Sequence, residues 1–454
     1  MQIINPKDGA VLQDVAETTP EQVGAAVARA RAAQRAWQEG GYAPRRAALL
    51  AFRDIVAGRS EELARVLADE TGKPLRQGKN ELSALLGRID FFLEHTPTVL
   101  APRVVHQADG LQERIALEPL GVIANVSAWN YPYFVGSNVF VPALLTGNAV
   151  VYKPSELATL TGLAIERALH EAGVPKDVFV CVPGAAPTGA ALVSAPVDGV
   201  FFTGSVATGK QIAAAVASRL VRLQLELGGK DPVYVSDDVD VDSAAEAVAD
   251  GAFYNTGQSC CAVERVYVHG RVWDDFLRRF VEVVEGFVVG DPLDAATYIG
   301  PLARREAQIE QLERQIQDAL DKGARLLCGG GRADGPGFFF RPTVLVDVDH
   351  RMQVMTEESF GPVIGLMKVD SDEQALALMN ETRYGLTAGV YARDQVRAER
   401  LLAELDVGSA YWNCCDRVSP RLPWSGRRDS GVGCTLSTYG IEAMLKWKAW
   451  HLRG

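Results

Sequence analysis

Five short apolar runs in the first half of the chain constrain its fold more than any other feature. None contains a charged residue, and most are separated by stretches with a helical pattern, such as 161–172 and 206–218. Apolar runs that alternate with helices are typical of parallel strands covered on both faces. We therefore predict an α/β fold with a buried parallel sheet, whose strands lie at 122–126, 149–152, 178–182, 200–202 and 223–225.

The regions on either side of this sheet carry different patterns. The first hundred residues are predicted to be helical, and their first helix opens with the capping box Thr19-Pro20-Glu21-Gln22. Three further helices are predicted near 45–58, 60–70 and 80–95. Residues 102–118 are predicted to be extended, and 444–450 alternates partly in the manner of an edge strand. A second α/β series is predicted from 232 onward, with strands at 232–235, 363–366 and 388–391 and helices near 241–254, 273–287, 304–322 and 372–380.

Length and composition exclude several classes of protein. A chain of 454 residues is expected to form two or three domains. The net charge of −11 argues against nucleic acid as a partner. Seven cysteines without a CxxC motif or a histidine cluster favour a reducing compartment, with neither disulfides nor a metal site. Without an export signal or a membrane-spanning run, we expect a cytoplasmic protein.

Three stretches carry the side chains that thiol-based acyl chemistry requires. The first, 257–261, ends in the vicinal pair Cys260 and Cys261; the second, 225–230, offers the carboxylate of Glu226 at a strand end. The third offers the amide of Asn130. Vicinal cysteines alone are more often inert, so the hypothesis depends on the combination of a nucleophile, a base and an oxyanion donor.

A glycine-rich turn at 204–210 suggests a phosphate site. It follows a predicted strand and opens a helix, but Gln211 occupies the position where a P-loop needs Ser or Thr. Nucleotide hydrolysis is therefore disfavoured, although the turn still suits a pyrophosphate. Lys153 and Glu156, at another strand end, could bind ribose hydroxyls or could be a solvated loop pair.

In this order, these stretches resemble the aldehyde dehydrogenase superfamily, from Asn5-Pro6 to about Gly440. The glutamate and cysteine motifs, 34 positions apart from Glu226 to Cys260, are the most specific. Six motifs occur in register, at 129–132, 153–156, 202–205, 225–230, 257–260 and 358–362.

The resemblance implies a role for each matching residue. Cys260 would be the nucleophile, Glu226 the general base, and Asn130 the oxyanion donor together with the Cys260 backbone N–H. The implied cofactor-binding residues are Trp129, Lys153, Glu156, Gly204, Ser205, Glu358 and Phe360. The implied substrate-lining residues are Tyr131, Cys261 and Trp424.

The resemblance also implies the domain organisation and the cofactor. An NAD-binding domain is expected at 1–100 and 120–227, a catalytic domain at 228–430, and a small β oligomerisation element at 101–119 and 436–454. The element would join two or four copies, because its last strand leaves an unpaired edge. NAD is expected ahead of NADP, since the Glu156 carboxylate would repel a 2′-phosphate.

The implied reaction is oxidation of a small aldehyde to its acid, with water as the second substrate. Glu226 favours hydrolysis of the thioester over transfer to coenzyme A. A non-catalytic binding protein is disfavoured because nucleophile, base and amide are all retained. The substrate could be a short aliphatic aldehyde or a semialdehyde; Arg417 and Arg421 could pair with its carboxylate or could be solvated loop residues.

Overall fold

Fifteen α-helices are distributed along the whole chain, and four of them make up most of its first hundred residues. The computed structural model describes residues 1–454. The helices are α1 Pro20–Glu39, α2 Tyr42–Gly58, α3 Ser60–Thr71, α4 Leu75–Leu100, α5 Pro132–Leu145, α6 Thr159–Glu171, α7 Ala186–Ser194, α8 Val206–Val216, α9 Val241–Phe253, α10 Trp273–Glu285, α11 Glu306–Asp321, α12 Gln353–Thr356, α13 Asp372–Asn380, α14 Gln395–Ala403 and α15 Ser437–Glu442.

Twenty β-strands form five sheets, two of which are two-stranded. The strands are β1 Gln2–Ile4, β2 Val11–Asp14, β3 Arg103–Ala108, β4 Leu111–Pro119, β5 Val122–Val126, β6 Ala149–Lys153, β7 Phe179–Cys181, β8 Gly199–Thr203, β9 Arg222–Glu226, β10 Asp231–Val235, β11 Val263–His269, β12 Arg325–Cys328, β13 Thr343–Val346, β14 Val363–Val369, β15 Tyr384–Gly385, β16 Thr387–Tyr391, β17 Ser409–Trp412, β18 Arg427–Arg428, β19 Gly431–Val432 and β20 Leu445–Arg453.

The first large sheet confirms the predicted parallel core. Its order is β19-β9-β8-β5-β6-β7, and all five predicted apolar runs are strands of it. The pairs β9–β8, β8–β5, β5–β6 and β6–β7 are parallel, and only β19 joins antiparallel. Because the four central strands run the same way, their carboxyl ends meet at one edge.

The second large sheet has the order β12-β13-β14-β11-β10-β16-β17 and is parallel apart from β12. Alternate residues of β10 belong to different hydrophobic clusters. Val233 and Val235 share one with residues of α9 and α10, whereas Tyr234 shares the other with residues of α11 and α13. This period of two, with helices on both faces, explains why the run at 232–235 is continuously apolar.

The third sheet is antiparallel and has the order β20-β4-β3. Strand β20 is at its edge, as the alternating pattern at 444–450 predicts, and Trp447 remains 72% exposed. Helix α15, just before it, instead packs against α4 and α5 through the buried Ile441. The C-terminal segment is therefore shared between the small sheet and the core of the first large sheet.

Tertiary packing extends one helix beyond its sequence pattern. The capping box of α1 is formed as predicted, with Thr19 and Gln22 exchanging hydrogen bonds. Helix α4 is longer at both ends than the predicted 80–95, because contacts with α2, α3 and α5 carry it across Gly78 and Pro97. No helix combines the length and apolar composition needed to cross a membrane.

Candidate active site

Five of the predicted catalytic and cofactor-binding residues lie at the carboxyl ends of four neighbouring strands of the first large sheet. Asn130 follows β5, Lys153 ends β6, Gly204 and Ser205 follow β8, and Glu226 ends β9. The order β9-β8-β5-β6 places these ends side by side. Ligands of open α/β sheets bind beyond such carboxyl ends, so this edge is the candidate active site.

Glu226 is a buried carboxyl group with a strongly raised pKa. It is 5% exposed, and burial raises its pKa to about 7. Hydrogen bonds from Thr435 Oγ1 and Gln224 Nε2, and the positive charge of Arg88, oppose that rise. A carboxyl group poised near neutral pH can accept a proton from water and release it again, as a general base requires.

Thr435 connects Glu226 with Trp424, one of the predicted substrate-lining residues. The two residues form a short antiparallel bridge, with N···O distances of 2.8 and 2.9 Å between their backbones. Trp424 is buried, and the Thr435 hydroxyl bonds the Glu226 carboxyl group. Thr435 could not be predicted from the sequence, because no motif marks a residue that lies 209 positions from its partner.

The loop that carries Cys260 is connected to the loop that carries Asn130. Asn255 Nδ2 donates to the backbone oxygens of Asn130, at 3.1 Å, and of Gln258, at 2.9 Å. Asn255 has φ 55° and Thr256 has φ 59°, in the left-handed region that non-glycine residues rarely adopt. This strained turn fixes Cys260 relative to the neighbouring strand end. Asn255 was not predicted as a site residue, because its residue type does not reveal a left-handed backbone.

The side chains of Asn130 and Cys260 are both available for a ligand. Asn130 is 5% exposed, and its side-chain amide makes no hydrogen bond within the chain, although its backbone oxygen is bonded. Cys260 is half-buried, whereas Cys261 is buried. A buried amide without a partner suits the stabilisation of an oxyanion.

Cys261 is a hydrogen-bond donor in the same loop. Its Sγ lies 2.9 Å from Asp416 Oδ1, which also accepts from Ser259 Oγ at 3.3 Å. Contact with the Cys260 thiol, burial and the Asp416 carboxylate raise the pKa of the Cys261 thiol well above its usual value. Cys261 is therefore held as a neutral thiol, which is a poor nucleophile.

A buried ion pair connects three of the sequence motifs. Lys230 Nζ lies 2.6 Å from Glu264 Oε2 and 3.1 Å from Ser359 Oγ. The Glu264 carboxylate also accepts from the backbone N–H groups of Ser359 and Phe360. Lys230 follows the Glu226 strand and Glu264 follows Cys260, so the pair holds both motifs against the 358–360 turn.

Two glycines make a close approach possible at the same place. A Cβ on Gly228 would lie 2.3 Å from Glu358 Oε2, and one on Gly229 would lie 2.8 Å from the Cys260 carbonyl oxygen. The Gly229 N–H donates to Glu358 Oε1 at 3.1 Å. Burial and the neighbouring Glu264 raise the pKa of Glu358 to about 8. The glycine pair therefore brings the predicted cofactor residue Glu358 and the Cys260 loop to the end of β9.

The predicted cofactor residues form two groups along the edge. The rings of Trp129 and Phe360 meet edge to face, with centroids 5.4 Å apart. Phe360 is two residues after Glu358, so these three residues form the first group. At the other end of the edge, Lys153 is buried with its Nζ 3.4 Å from Glu156 Oε2, and Glu156 is exposed.

The start of α8 suits a diphosphate. Ser205 caps this helix by accepting from the Thr208 N–H at 3.3 Å. The backbone N–H groups of Val206 and Ala207 donate no backbone hydrogen bond and remain available. Free N–H groups at a helix N-terminus favour phosphate, so the residues of this edge fit a dinucleotide.

The predicted substrate side contains charges that the sequence analysis missed. Tyr131 stacks on Phe134, with ring centroids 5.9 Å apart, and Lys73 Nζ lies 3.7 Å from the centre of the Tyr131 ring. The guanidinium of Arg88 lies 3.8 Å from the centre of the Phe134 ring. The arginines considered from sequence, Arg417 and Arg421, are both exposed.

Comparison with known proteins decides the family. A profile described as the aldehyde dehydrogenase family matches residues 1–450. The chain belongs to the aldehyde dehydrogenase family. The resemblance inferred from its motifs and the predicted fold class are thereby confirmed, and this aldehyde dehydrogenase is an NAD(P)-dependent aldehyde-oxidising enzyme.

Its relatives act on chemically different aldehydes. The chain is 37% identical to 3,6-anhydro-alpha-L-galactose dehydrogenase from Streptomyces coelicolor, over 99% of this chain and 92% of that protein. It is 35% identical to the NADP-dependent succinate-semialdehyde dehydrogenase of Deinococcus radiodurans, over 96% and 92%. The crystal structure of PnpE in complex with nicotinamide adenine dinucleotide superposes with a TM-score of 0.97, at 33% identity, over 100% of this chain and 94% of that one.

The Lys230–Glu264 pair is predicted to be essential for stability. Lys230→Met leaves a buried carboxylate without its partner, which should lower the apparent free energy of unfolding by about 3–5 kcal/mol. Urea unfolding followed by tryptophan fluorescence measures the change. The matched control is Lys7→Met, because Lys7 Nζ lies 3.0 Å from the partially exposed Asp291 Oδ2. This substitution should lower the free energy of unfolding by less than about 1 kcal/mol. Equal effects of the two substitutions would contradict this role.

Proposed function

We propose that this enzyme oxidises its aldehyde through a thioester on Cys260 and hydrolyses that thioester with Glu226. The Cys260 thiolate attacks the carbonyl carbon, and the oxygen becomes an anion. The Asn130 amide and the Cys260 backbone N–H stabilise this oxyanion, and the loss of one such donor typically costs about 3–4 kcal/mol. Glu226 then takes a proton from water, which attacks the thioester and releases the acid.

The observation that carries this proposal is the connection between the Cys260 and Asn130 loops. Asn255 bonds the backbone of both the Asn130 loop and the Cys260 loop, while the Asn130 side chain has no partner in the chain. A nucleophile and an oxyanion donor must be held in fixed geometry before the substrate arrives. The buried Glu226, with a pKa of about 7, supports hydrolysis by the same site.

We propose that the cofactor lies along the same edge of the sheet. Lys153 and Glu156 would hold the adenosine ribose, Gly204 and Ser205 the pyrophosphate, and Glu358, Phe360 and Trp129 the nicotinamide end. When bound, the nicotinamide ring accepts the hydride that leaves the carbon attached to Cys260. Residues 1–100 and 120–227 would then be the NAD-binding domain, and 228–430 the catalytic domain.

We propose a reducing compartment and an oligomer. All seven cysteines are free thiols, which suits the cytoplasm. Strand β20 has one unpaired edge and an exposed Trp447, which another copy could cover in a dimer or tetramer. Residues 101–119 and 436–454 would form this oligomerisation element, although α15 packs on the first large sheet.

Replacement of Glu226 should separate the two halves of the reaction. Glu226→Gln should release about one NADH per active site in a burst and then slow steady turnover at least about 100-fold, because acylation proceeds without the base. Stopped-flow absorbance measures both phases. Undiminished steady turnover in this variant would contradict the assignment of Glu226.

The pH dependence of thioester hydrolysis should follow the Glu226 carboxyl group. Its raised pKa of about 7 means that it is protonated and inactive below pH 7. The single-turnover hydrolysis rate should therefore rise through pH 7 and level off above it. Thr435→Val removes a hydrogen bond that lowers this pKa, so the midpoint should move to higher pH. A midpoint that Thr435→Val leaves in place would contradict this account.

Cofactor preference should depend on Glu156. A carboxylate that accepts from the ribose 2′-hydroxyl repels a 2′-phosphate, so kcat/KM with NAD should exceed that with NADP at least about tenfold. Glu156→Ser should reduce this ratio, whereas Glu171→Ser, at the far end of α6, should not. Steady-state kinetics with both cofactors tests the prediction, and equal efficiency of the unaltered enzyme with both would contradict it.

A further inference from the structure

Arg88 is a buried cation whose charge lowers the pKa of Glu226 but which takes no direct part in the proposed steps. It lies on α4, is 4% exposed, and packs its guanidinium 3.8 Å from the centre of the Phe134 ring. Its Nη1 donates to Asn138 Oδ1 at 2.8 Å. Its Nε and Nη2 donate no hydrogen bond within the chain, and neither atom is fully sealed by protein.

No carboxylate of the chain is hydrogen-bonded to Arg88, whose side-chain partner is Asn138. Glu81 lies two turns earlier on the same face of α4, but Lys73 Nζ already bonds its Oε2. Its Oε1 accepts from the backbone N–H groups of Tyr133 and Phe134, at 2.9 and 3.3 Å. A buried guanidinium with two unpaired donors is unfavourable, so these donors indicate a binding site for an external anion.

The position of Arg88 connects it to the site of reaction. The Phe134 ring, against which the Arg88 guanidinium packs, stacks on Tyr131. Tyr131 follows Asn130 in the chain. Burial lowers the pKa of Arg88 to about 10, and the negative charges of Glu81 and Glu226 oppose that fall. Arg88 therefore faces the region of the proposed oxyanion donor and base, on the Tyr131 side rather than the Trp129 side.

We propose that Arg88 determines specificity by binding a carboxylate at the far end of the aldehyde substrate. This inference rests on the proposed function of Cys260 and names its substrate class: aldehydes that carry a second, anionic group. A guanidinium presents two parallel N–H donors that match the two oxygens of a carboxylate. The corresponding product is a dicarboxylate, and cationic aldehydes are rejected by like charge.

Other charged residues near the site are less suited to this role. Lys73 is already paired with Glu81 and lies against the Tyr131 ring. Arg417 is exposed and donates to the Asp416 backbone oxygen, and Arg421 is exposed. The Asp416 carboxylate would attract a cation, but its Oδ1 already accepts from Ser259 and Cys261.

Substrate pairs that differ only in charge test the proposal. Succinic semialdehyde is compared with butanal, its four-carbon neutral counterpart, and with the cationic betaine aldehyde. The unaltered enzyme should have its highest kcat/KM with succinic semialdehyde. Arg88→Met should lower the ratio of kcat/KM for succinic semialdehyde to that for butanal by about 100-fold, mainly through KM. Malonic and glutaric semialdehydes, with propanal and pentanal, cover the neighbouring chain lengths.

Arg76→Met is the matched control, because Arg76 is an exposed arginine on the same helix. It should leave the ratio unchanged. An equal loss with charged and neutral aldehydes in Arg88→Met would indicate a structural role and overturn the proposal. A preference of the unaltered enzyme for butanal or betaine aldehyde would also overturn it. If Arg88→Met does not fold, Arg88→Lys tests the proposal instead. Lysine keeps the positive charge but lacks the two parallel N–H donors, so the ratio of kcat/KM for succinic semialdehyde to that for butanal must still fall about tenfold.

A binding measurement separates this proposal from the proposed function of Cys260. Succinate, which cannot react, is titrated calorimetrically into folded Cys260→Ala enzyme with Arg88 present or replaced by Met. At least about tenfold weaker binding without Arg88 supports the anion site even if Cys260 proves not to be the nucleophile. Equal affinity in the two proteins overturns the anion site, whatever the result for Cys260.

Discussion

The buried pair of Lys230 and Glu264 is the interaction on which the geometry of the site depends. Lys230 follows the strand that ends at Glu226, and Glu264 is the second residue of the strand after Cys260. Through the N–H groups of Ser359 and Phe360, the same carboxylate holds the turn of the predicted nicotinamide residues. One desolvated charge pair thus connects three segments that are far apart in the chain, and none of them can shift without leaving a buried charge unpaired.

Burial has different consequences for Glu226 and for Arg88, the two charged residues near the proposed reaction centre. At Glu226 it raises the pKa of a carboxyl group towards neutrality, and two hydrogen bonds limit the rise. At Arg88 it isolates a cation whose only side-chain hydrogen bond within the chain is to Asn138. The first arrangement suits proton transfer from water and the second suits binding of an anion, as the two proposed roles require.

The sequence predicted the parallel core and the family, because apolar runs and short motifs are local signals. It could not identify Thr435, Asn255 or Arg88. Thr435 meets Glu226 across 209 positions, and Asn255 acts through a left-handed backbone conformation that its residue type does not reveal. Arg88 lies in a helix where an arginine would ordinarily be solvated, and only the packing of α4 on α5 shows that it is buried without an ion-pair partner. Such long-range contacts have no sequence periodicity.

Location of the acyl group on the enzyme tests the central claim most directly. Glu226→Gln enzyme is mixed with aldehyde and NAD, quenched in acid, digested and analysed by fragment-ion mass spectrometry. The account predicts the acyl mass on Cys260 and none on its neighbour Cys261, whose thiol is held neutral beside Asp416. An acyl group on Cys261, or NADH formation without any acylated cysteine, would contradict it.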